Sequence, residues 1–267
     1  SLLPLLARPD ALDSMLLIGL GGGGTLSAVP DSVQRIDLIE LEPEVVEANR
    51  HIGPFRGGGD PLLDPRVRLI LGDARGAMML SDARYDAVVS QPSHPWTSGA
   101  SHLYTREFFH MVHERLVEGG VFVQWMGLAF VDEELTRGLV ATLLDEFEHL
   151  AVLRPVGAAL LFIASDESLN LLENTERAIA NASEDFDRIG IHRIEDVAAA
   201  IALMGDGPRD FSVDGLRISD DHNHLAWAAR RRRAAGPRPG GRLKVLSALA
   251  EFDPLPEHLS ELNDALL

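Results

Sequence analysis

Residues 15–25 read Met-Leu-Leu-Ile-Gly-Leu-Gly-Gly-Gly-Gly-Thr, an apolar run that passes without a spacer into a glycine loop. A second apolar segment ends on Glu40, twenty-one residues after Gly19. Gly19, Gly21, Gly22, Gly23 and Gly24 carry no side chain that would hold a ligand away from the backbone. A carboxylate at the tip of the following strand is placed to accept hydrogen bonds from ribose hydroxyls. Glycine runs also make ordinary turns. The position of this one between a strand and a helix is what points to a nucleotide or nucleoside site.

Strand-like and helix-like segments alternate through the first 165 residues, the pattern of a parallel sheet flanked by helices. Seven strands are expected, at 15–20, 35–41, 67–71, 85–90, 120–125, 150–154 and 159–164. Pro43 suits the first turn of a helix through Arg50, and Asp132 suits the cap of a helix from Glu133 to about Phe147. The segment from Gly53 to Asp64 reads as connective material with no phosphate role, because no strand leads into it. After Ser165 the texture changes to short polar helices, clearest at 169–181 and 194–204, followed by a turn-rich stretch at 205–215. The expected organisation is a nucleoside-binding domain over 1–165, a small helical appendage over 166–229, a basic linker over 230–244 and C-terminal helices over 245–267.

Composition narrows the chemistry. Cysteine is absent, which excludes disulfides, thiolate metal ligands and a cysteine nucleophile. The single lysine, Lys244, lies outside any glycine-rich loop, so neither a phosphate-loop NTPase nor Schiff-base chemistry is expected. A formal net charge of -17 repels nucleic acid and suits a cationic small molecule. Arg230, Arg231, Arg232, Arg233, Arg238, Arg242 and Lys244 run against that trend, and the prolines and glycines among them mark a solvated linker. No apolar run reaches the roughly 18 residues of a spanning helix, no signal peptide is legible, and a cytoplasmic location is expected. The start at Ser1 rather than Met suggests that a front segment was trimmed or processed.

In a doubly wound sheet, ligands bind beyond the carboxyl ends of the strands, where strand order reverses. Four features fall there: the glycine loop, Glu40, Gly72-Asp73-Ala74, and Gln91-Pro92-Ser93-His94-Pro95-Trp96. Glu40 and Asp73 would clamp the two ends of an adenosine, although Asp73 also suits a helix cap. Asp220, Asp221, His222 and His224 are the densest group of metal-ligand types, but their spacing fits no zinc signature, and a helix start or lid residue is the expected role. His110 and His113 suit a helix face better than a metal site. No metal is expected.

The segments Ile18-Gly19-Leu20-Gly21-Gly22-Gly23, Leu38-Ile39-Glu40-Leu41-Glu42-Pro43, Asp64-Pro65-Arg66-Val67, Gly72-Asp73-Ala74-Arg75, Tyr85-Asp86-Ala87-Val88-Val89 and Leu103-Tyr104-Thr105-Arg106-Glu107-Phe108-Phe109 together resemble the polyamine aminopropyltransferases, the spermidine synthase family. The resemblance covers about residues 3 to 165. It is closest to a bacterial spermidine synthase-like branch often joined to membrane transporter segments, whose motifs are matched by Gln91 to Trp96, Gly119 to Trp125 and Asp220-Asp221. It implies a Rossmann-like doubly wound α/β sheet of the class I S-adenosylmethionine-dependent methyltransferase type.

The resemblance also implies S-adenosylmethionine or its decarboxylated form as cofactor, held by Gly19, Gly21, Gly22, Gly23, Glu40, Asp73 and Ala74. An amine or polyamine substrate is implied near Trp96, Tyr104 and Asp221. The family places an Asp where this chain has Gly22, and two more carboxylates where it has Gln91 and His94. Gln91 can orient an amine. His94, with a reference pKa near 6.5, is the candidate base, or else a loop residue beside Trp96. Trp96 and Tyr104 wall a pocket or fill core space. The strand domain that precedes the sheet in such enzymes is not legible ahead of Leu3, and a homodimer is the assembly that the resemblance allows.

Three functions follow as expectations. The first is a spermidine synthase-like transferase acting on an amine, with the usual aminopropyl-transfer carboxylates missing. The second is an S-adenosylmethionine-dependent methyltransferase, and the third a catalytically inactive nucleoside-binding or assembly domain.

Overall fold

In the computed structural model the described residues are 1–10, 12–56, 58–92, 97, 99–129, 131–155, 159–227, 231 and 241–252. Their eight strands are β1 (Ser14–Ile18), β2 (Arg35–Glu40), β3 (Val67–Leu71), β4 (Tyr85–Ser90), β5 (Leu116–Gly127), β6 (His149–Leu153), β7 (Ala159–Ser165) and β8 (Ile201–Leu203). The helices used below are α1 (Leu3–Ala7), α2 (Gly24–Ser27), α3 (Pro43–Ile52), α4 (Ala74–Met79), α5 (Arg106–Glu114), α6 (Glu133–Leu144), α7 (Leu171–Asn181), α8 (Ser183–Arg188), α9 (Ile194–Ala198), α10 (Gly207–Phe211) and α11 (Gly241–Ala250).

One sheet runs in the order β3-β2-β1-β4-β5-β7-β6-β8. Strands β1 to β5 pair in parallel, and β7, β6 and β8 join antiparallel at the far side. Strand order reverses at β1 and β4, so the glycine loop after β1 and the loop after β4 open on the same edge. β1 is buried at all five positions, as its apolar run Met15–Ile18 requires for a central strand covered on both faces.

One core layer lies where Phe108, Phe109 and Val112 of α5 meet Phe122 and Phe147, with the Phe122 and Phe147 rings stacked at 5.8 Å. The other gathers Leu5 and Leu6 of α1, Leu26 of α2, Val46 of α3 and Leu171 of α7. Asp132 caps α6 by accepting from the Leu135 amide at 3.1 Å, and Pro43 opens α3, both as the sequence suggests.

The sheet has eight strands rather than seven. The helix expected over 194–204 ends at Ala198, and Ile201, Ala202 and Leu203 are buried as the edge strand β8 against β6. The alanine-rich run favours helix locally, but pairing along the open edge of β6 overrides that preference. Residues 205–215, expected as turns, include the short helix α10. The terminal helix begins at Gly241, so 241–244 are helical rather than linker; the second terminal helix lies outside the described residues.

Candidate functional site

The glycine loop is shaped by its own backbone. Gly19 (φ 94°) donates its amide to Ile39 at 2.9 Å, and a Cβ there would sit 2.5 Å from the Gln91 carbonyl oxygen. Only glycine lets the β1 loop pass this close to the β4 loop. Gly23 (φ 78°) is the left-handed residue that starts α2, and its amide donates to Leu20 at 2.8 Å. By contrast, a Cβ at Gly21, Gly22 or Gly24 would meet nothing within 4 Å. The loop therefore has a packed side and an open, side-chain-free side, the shape of a cradle for a close-fitting ligand.

Glu40 ends β2 and is buried at 7% exposure. Its Oε2 accepts from the Leu20 amide at 2.8 Å and its Oε1 from the Glu42 amide at 2.9 Å. Two backbone donors thus fix the carboxylate against the loop, and each oxygen keeps a second lone pair for a hydroxyl donor. Asp73 follows β3 and caps α4, its Oδ1 accepting from the Gly76 amide at 2.8 Å. Ala74 is buried in the first turn of that helix.

Gln91 follows β4, where its amide donates to Ile18 at 2.9 Å and its side-chain oxygen accepts from the Thr25 hydroxyl. The β1 and β4 loops are therefore joined through side chains as well as backbone. His94 and Trp96 lie outside the described residues. Tyr104 is fully buried in the α5 core layer, its hydroxyl donating to the Trp125 carbonyl at 3.2 Å; it fills core rather than lining the open side of the loop. Burial pushes its phenol far above the usual tyrosine range.

Beside α4, Asp220 accepts from Arg75 at 2.7 and 2.6 Å and from the Thr105 hydroxyl at 2.9 Å, and its amide donates to Glu107 at 2.9 Å. The Arg75 hydrogen bonds lead in holding its carboxyl at about 2, below the usual carboxylate range. Asp221, the candidate substrate residue, is exposed next to it. The helical turn that follows is capped by Asn223, which accepts from the Ala226 amide at 2.9 Å, rather than by Asp220 or Asp221. His110 pairs with Glu146 at 2.9 Å and His113 with Asp166 at 2.6 Å. Among the described residues no group of three or more His, Cys, Asp and Glu side chains is gathered for a metal ion, and no helix is long and apolar enough to cross a membrane.

The family model described as the spermine/spermidine synthase domain matches residues 3–152, more than half of the chain. The chain belongs to the spermine/spermidine synthase family. Among curated members, a polyamine aminopropyltransferase of Korarchaeum cryptofilum is 32% identical over 151 residues, covering 56% of this chain and 46% of that protein. Polyamine aminopropyltransferase 2 of Pseudomonas aeruginosa is 32% identical over 152 residues, covering 55% and 43%. The aligned stretch is thus under half the length of these relatives. A spermidine synthase from Thermotoga maritima superimposes with a TM-score of 0.60 at 21% identity, covering 79% of this chain and 72% of that one. Human methyltransferase-like protein 13, solved with SAH, gives 0.52 at 20% identity, covering 67% and 86%. These two likenesses show the fold, which is that of spermidine synthases and class I methyltransferases alike.

Within this spermidine synthase-family sheet, the structure places the loop of Gly19, Gly21, Gly22 and Gly23 beside Glu40 and Gln91 at the β1–β4 edge: Gly19 lies against the Gln91 carbonyl, and Glu40 holds the Leu20 amide. Sequence reasoning missed Asn49 and Arg56, which bond to the Gly21 and Gly22 carbonyls, and Thr25, which bonds to Gln91. Asn49, buried on α3, carried no signal in the sequence, where it is one polar residue of a helix. Arg56 carried none, since nothing local distinguishes it from other solvated arginines.

Proposed function

We propose that this chain binds an adenosyl sulfonium, S-adenosylmethionine or its decarboxylated form, and transfers an alkyl group from it to an amine nitrogen. The observation that carries this reading is Glu40, anchored at 2.8 Å on the Leu20 amide beside a loop whose Gly21, Gly22 and Gly24 positions face open space. Family membership supports the reaction class. Structural neighbours were solved with the transition-state analogue AdoDATO and with SAH, and both groups carry the adenosine that this site would hold.

Glu40 would accept from the ribose hydroxyls, while Gly19, Gly21, Gly22 and Gly23 allow the backbone to approach the sulfonium tail. Asp73, with one oxygen committed to its helix, would use the other on the adenine amino group beside Ala74. A sulfonium held there would supply an electrophilic carbon, whose bond to sulfur would break as nitrogen attacks, the electron pair passing to sulfur. Gln91, steadied by Thr25, would orient the amine, and His94 would take its proton. Trp96 and Asp221 are the remaining candidates for the amine side. Gly22, Gln91 and His94 stand where the family resemblance places carboxylates, so the grip on a cationic tail would be weaker than in a typical aminopropyltransferase.

Calorimetric titration with S-adenosylmethionine, its decarboxylated form and methylthioadenosine, using Glu40→Ala as control, tests the reading. Binding that weakens in the variant supports it. Preference for the decarboxylated form favours aminopropyl transfer, and preference for the intact form favours methyl transfer. No binding of any of the three at millimolar concentration, where affinity is only about -4 kcal/mol, overturns it.

A further inference from the structure

Two residues outside the cradle determine which way its peptide groups face. Asn49, on α3 and 2% exposed, donates from Nδ2 to the Gly21 carbonyl at 2.7 Å and to the Val45 carbonyl at 2.8 Å. Arg56, from the turn after α3, donates from Nη2 to the Gly22 carbonyl and to Asn49 Oδ1, the latter at 2.7 Å. A Cβ on Gly23 would collide with Arg56 Nη1 and stand 2.7 Å from Asn49 Oδ1, so the arginine and the amide pack directly under the loop.

In a trans peptide the C=O and the next N–H point in opposite directions. With the Gly21 carbonyl drawn to Asn49, the Gly22 amide is turned the other way, out of the brace. With the Gly22 carbonyl drawn to Arg56, the Gly23 amide turns to close its bond to Leu20 at 2.8 Å. Arg56 Nη1 is itself buried without a hydrogen-bond partner among the described residues, an arrangement that costs stability. Packing alone does not account for a guanidinium kept there. Its other nitrogen makes the bond that fixes the loop.

We propose that Arg56 and Asn49 are positioning residues that set the glycine loop in its ligand-accepting shape before ligand arrives, so that binding does not have to order it. The functional part of this inference rests on the adenosyl-sulfonium reading above; the brace itself does not. Arg56 lies in the segment between α3 and β3, so it makes that connection part of the site.

The experiment uses the full chain, comparing wild type with Arg56→Ala, Asn49→Ala and the double variant. Amide hydrogen exchange on the ligand-free chain is expected to speed up about 10-fold or more at Gly23, with Gly19, which donates into β2, unchanged. Affinity for methylthioadenosine is expected to fall about 10-fold in either single variant, with the double variant little worse than one. Arg56→Lys is expected to fall between wild type and Arg56→Ala, because one ammonium replaces a planar fork. If Arg56→Ala loses cooperative unfolding, Arg56→Lys carries both measurements. Unchanged exchange at Gly23 in a folded variant overturns the proposal whatever the ligand result. Faster exchange at Gly23 in a chain whose wild type binds no adenosyl ligand sustains the brace and removes the functional reading instead.

Discussion

Asp220 accepts the Arg75 guanidinium through both carboxylate oxygens, at 2.7 and 2.6 Å, across 145 positions of sequence. Arg75 follows Asp73 and Ala74 at the head of α4, so this pair ties a segment beyond the family-matched region to the Asp73 end of the candidate site. The segment reaches that place because Ile218 bonds on both sides, its carbonyl to the Arg106 amide at 2.8 Å and its amide to Thr142 at 2.9 Å.

Asp220→Asn is expected to cost about 1 kcal/mol, a modest figure because both partners remain partly in contact with water. The folded carboxyl titrates at about 2, below its usual 3.8, so the pair's stabilisation is fully present above pH 4 and is lost as pH falls toward 2. Urea unfolding of wild type and variant should therefore differ near neutral pH and converge in acid. A difference that persists unchanged below the folded value would contradict the ion pair.

Gly22→Asp is the gain-of-function test. Gly22 has open space around its Cβ position and is not among the glycines with positive φ, so the variant is expected to fold with a loss of no more than about 1 kcal/mol. It places a carboxylate where the family resemblance expects one, and on the proposed reading calorimetry should show the ratio of affinities moving toward the decarboxylated, more cationic cofactor. An unmoved ratio would mean that the tail does not lie over Gly22.

Gly19→Ala should behave in the opposite way. With φ at 94° and a Cβ 2.5 Å from the Gln91 carbonyl oxygen, it meets both backbone strain and a collision with main chain. A loss of about 2 kcal/mol or more is expected in thermal or urea unfolding. A stable variant would show that the β1 and β4 loops can separate.

The two tyrosines give a spectroscopic check on the core. Burial, followed by the bond to Asp37 at 2.6 Å, pushes the Tyr85 phenol up to about 12, and burial raises that of Tyr104 as well. Neither should ionise between pH 10 and 11 while the chain stays folded, so ultraviolet absorbance should show no tyrosinate there. The stabilisation linked to Tyr85 is present below the unfolded value near 10 and is lost as pH rises through 12. Tyrosinate appearing with ordinary titration in a folded sample would place at least one ring in water.

Much of the glycine-loop edge was legible because its determinants are local. The apolar run into glycines fixed β1 and its loop, and the placing of Glu40 at a strand tip followed from the next apolar segment. Asp73 was readable as both cap and ligand group, and the structure has it as a cap. β8 was not legible, because 201–203 becomes a strand only through the exposed edge of β6. Tyr104 was ambiguous for a related reason: an aromatic near a loop enters the core or the pocket according to how α5 packs on the sheet.

By itself the sequence determined the parallel part of the sheet, β1 to β5, with a glycine-lined edge and a carboxylate beside it, since periodicity and glycine spacing act over a few residues. Tertiary structure alone decided that Arg56 and Asn49 brace the loop, that Asp220 rather than Asp221 locks onto α4, and that an eighth strand closes the far side. Those contacts arise where distant segments meet, and their partners are chosen by packing and by the need to satisfy buried polar groups rather than by neighbouring residues.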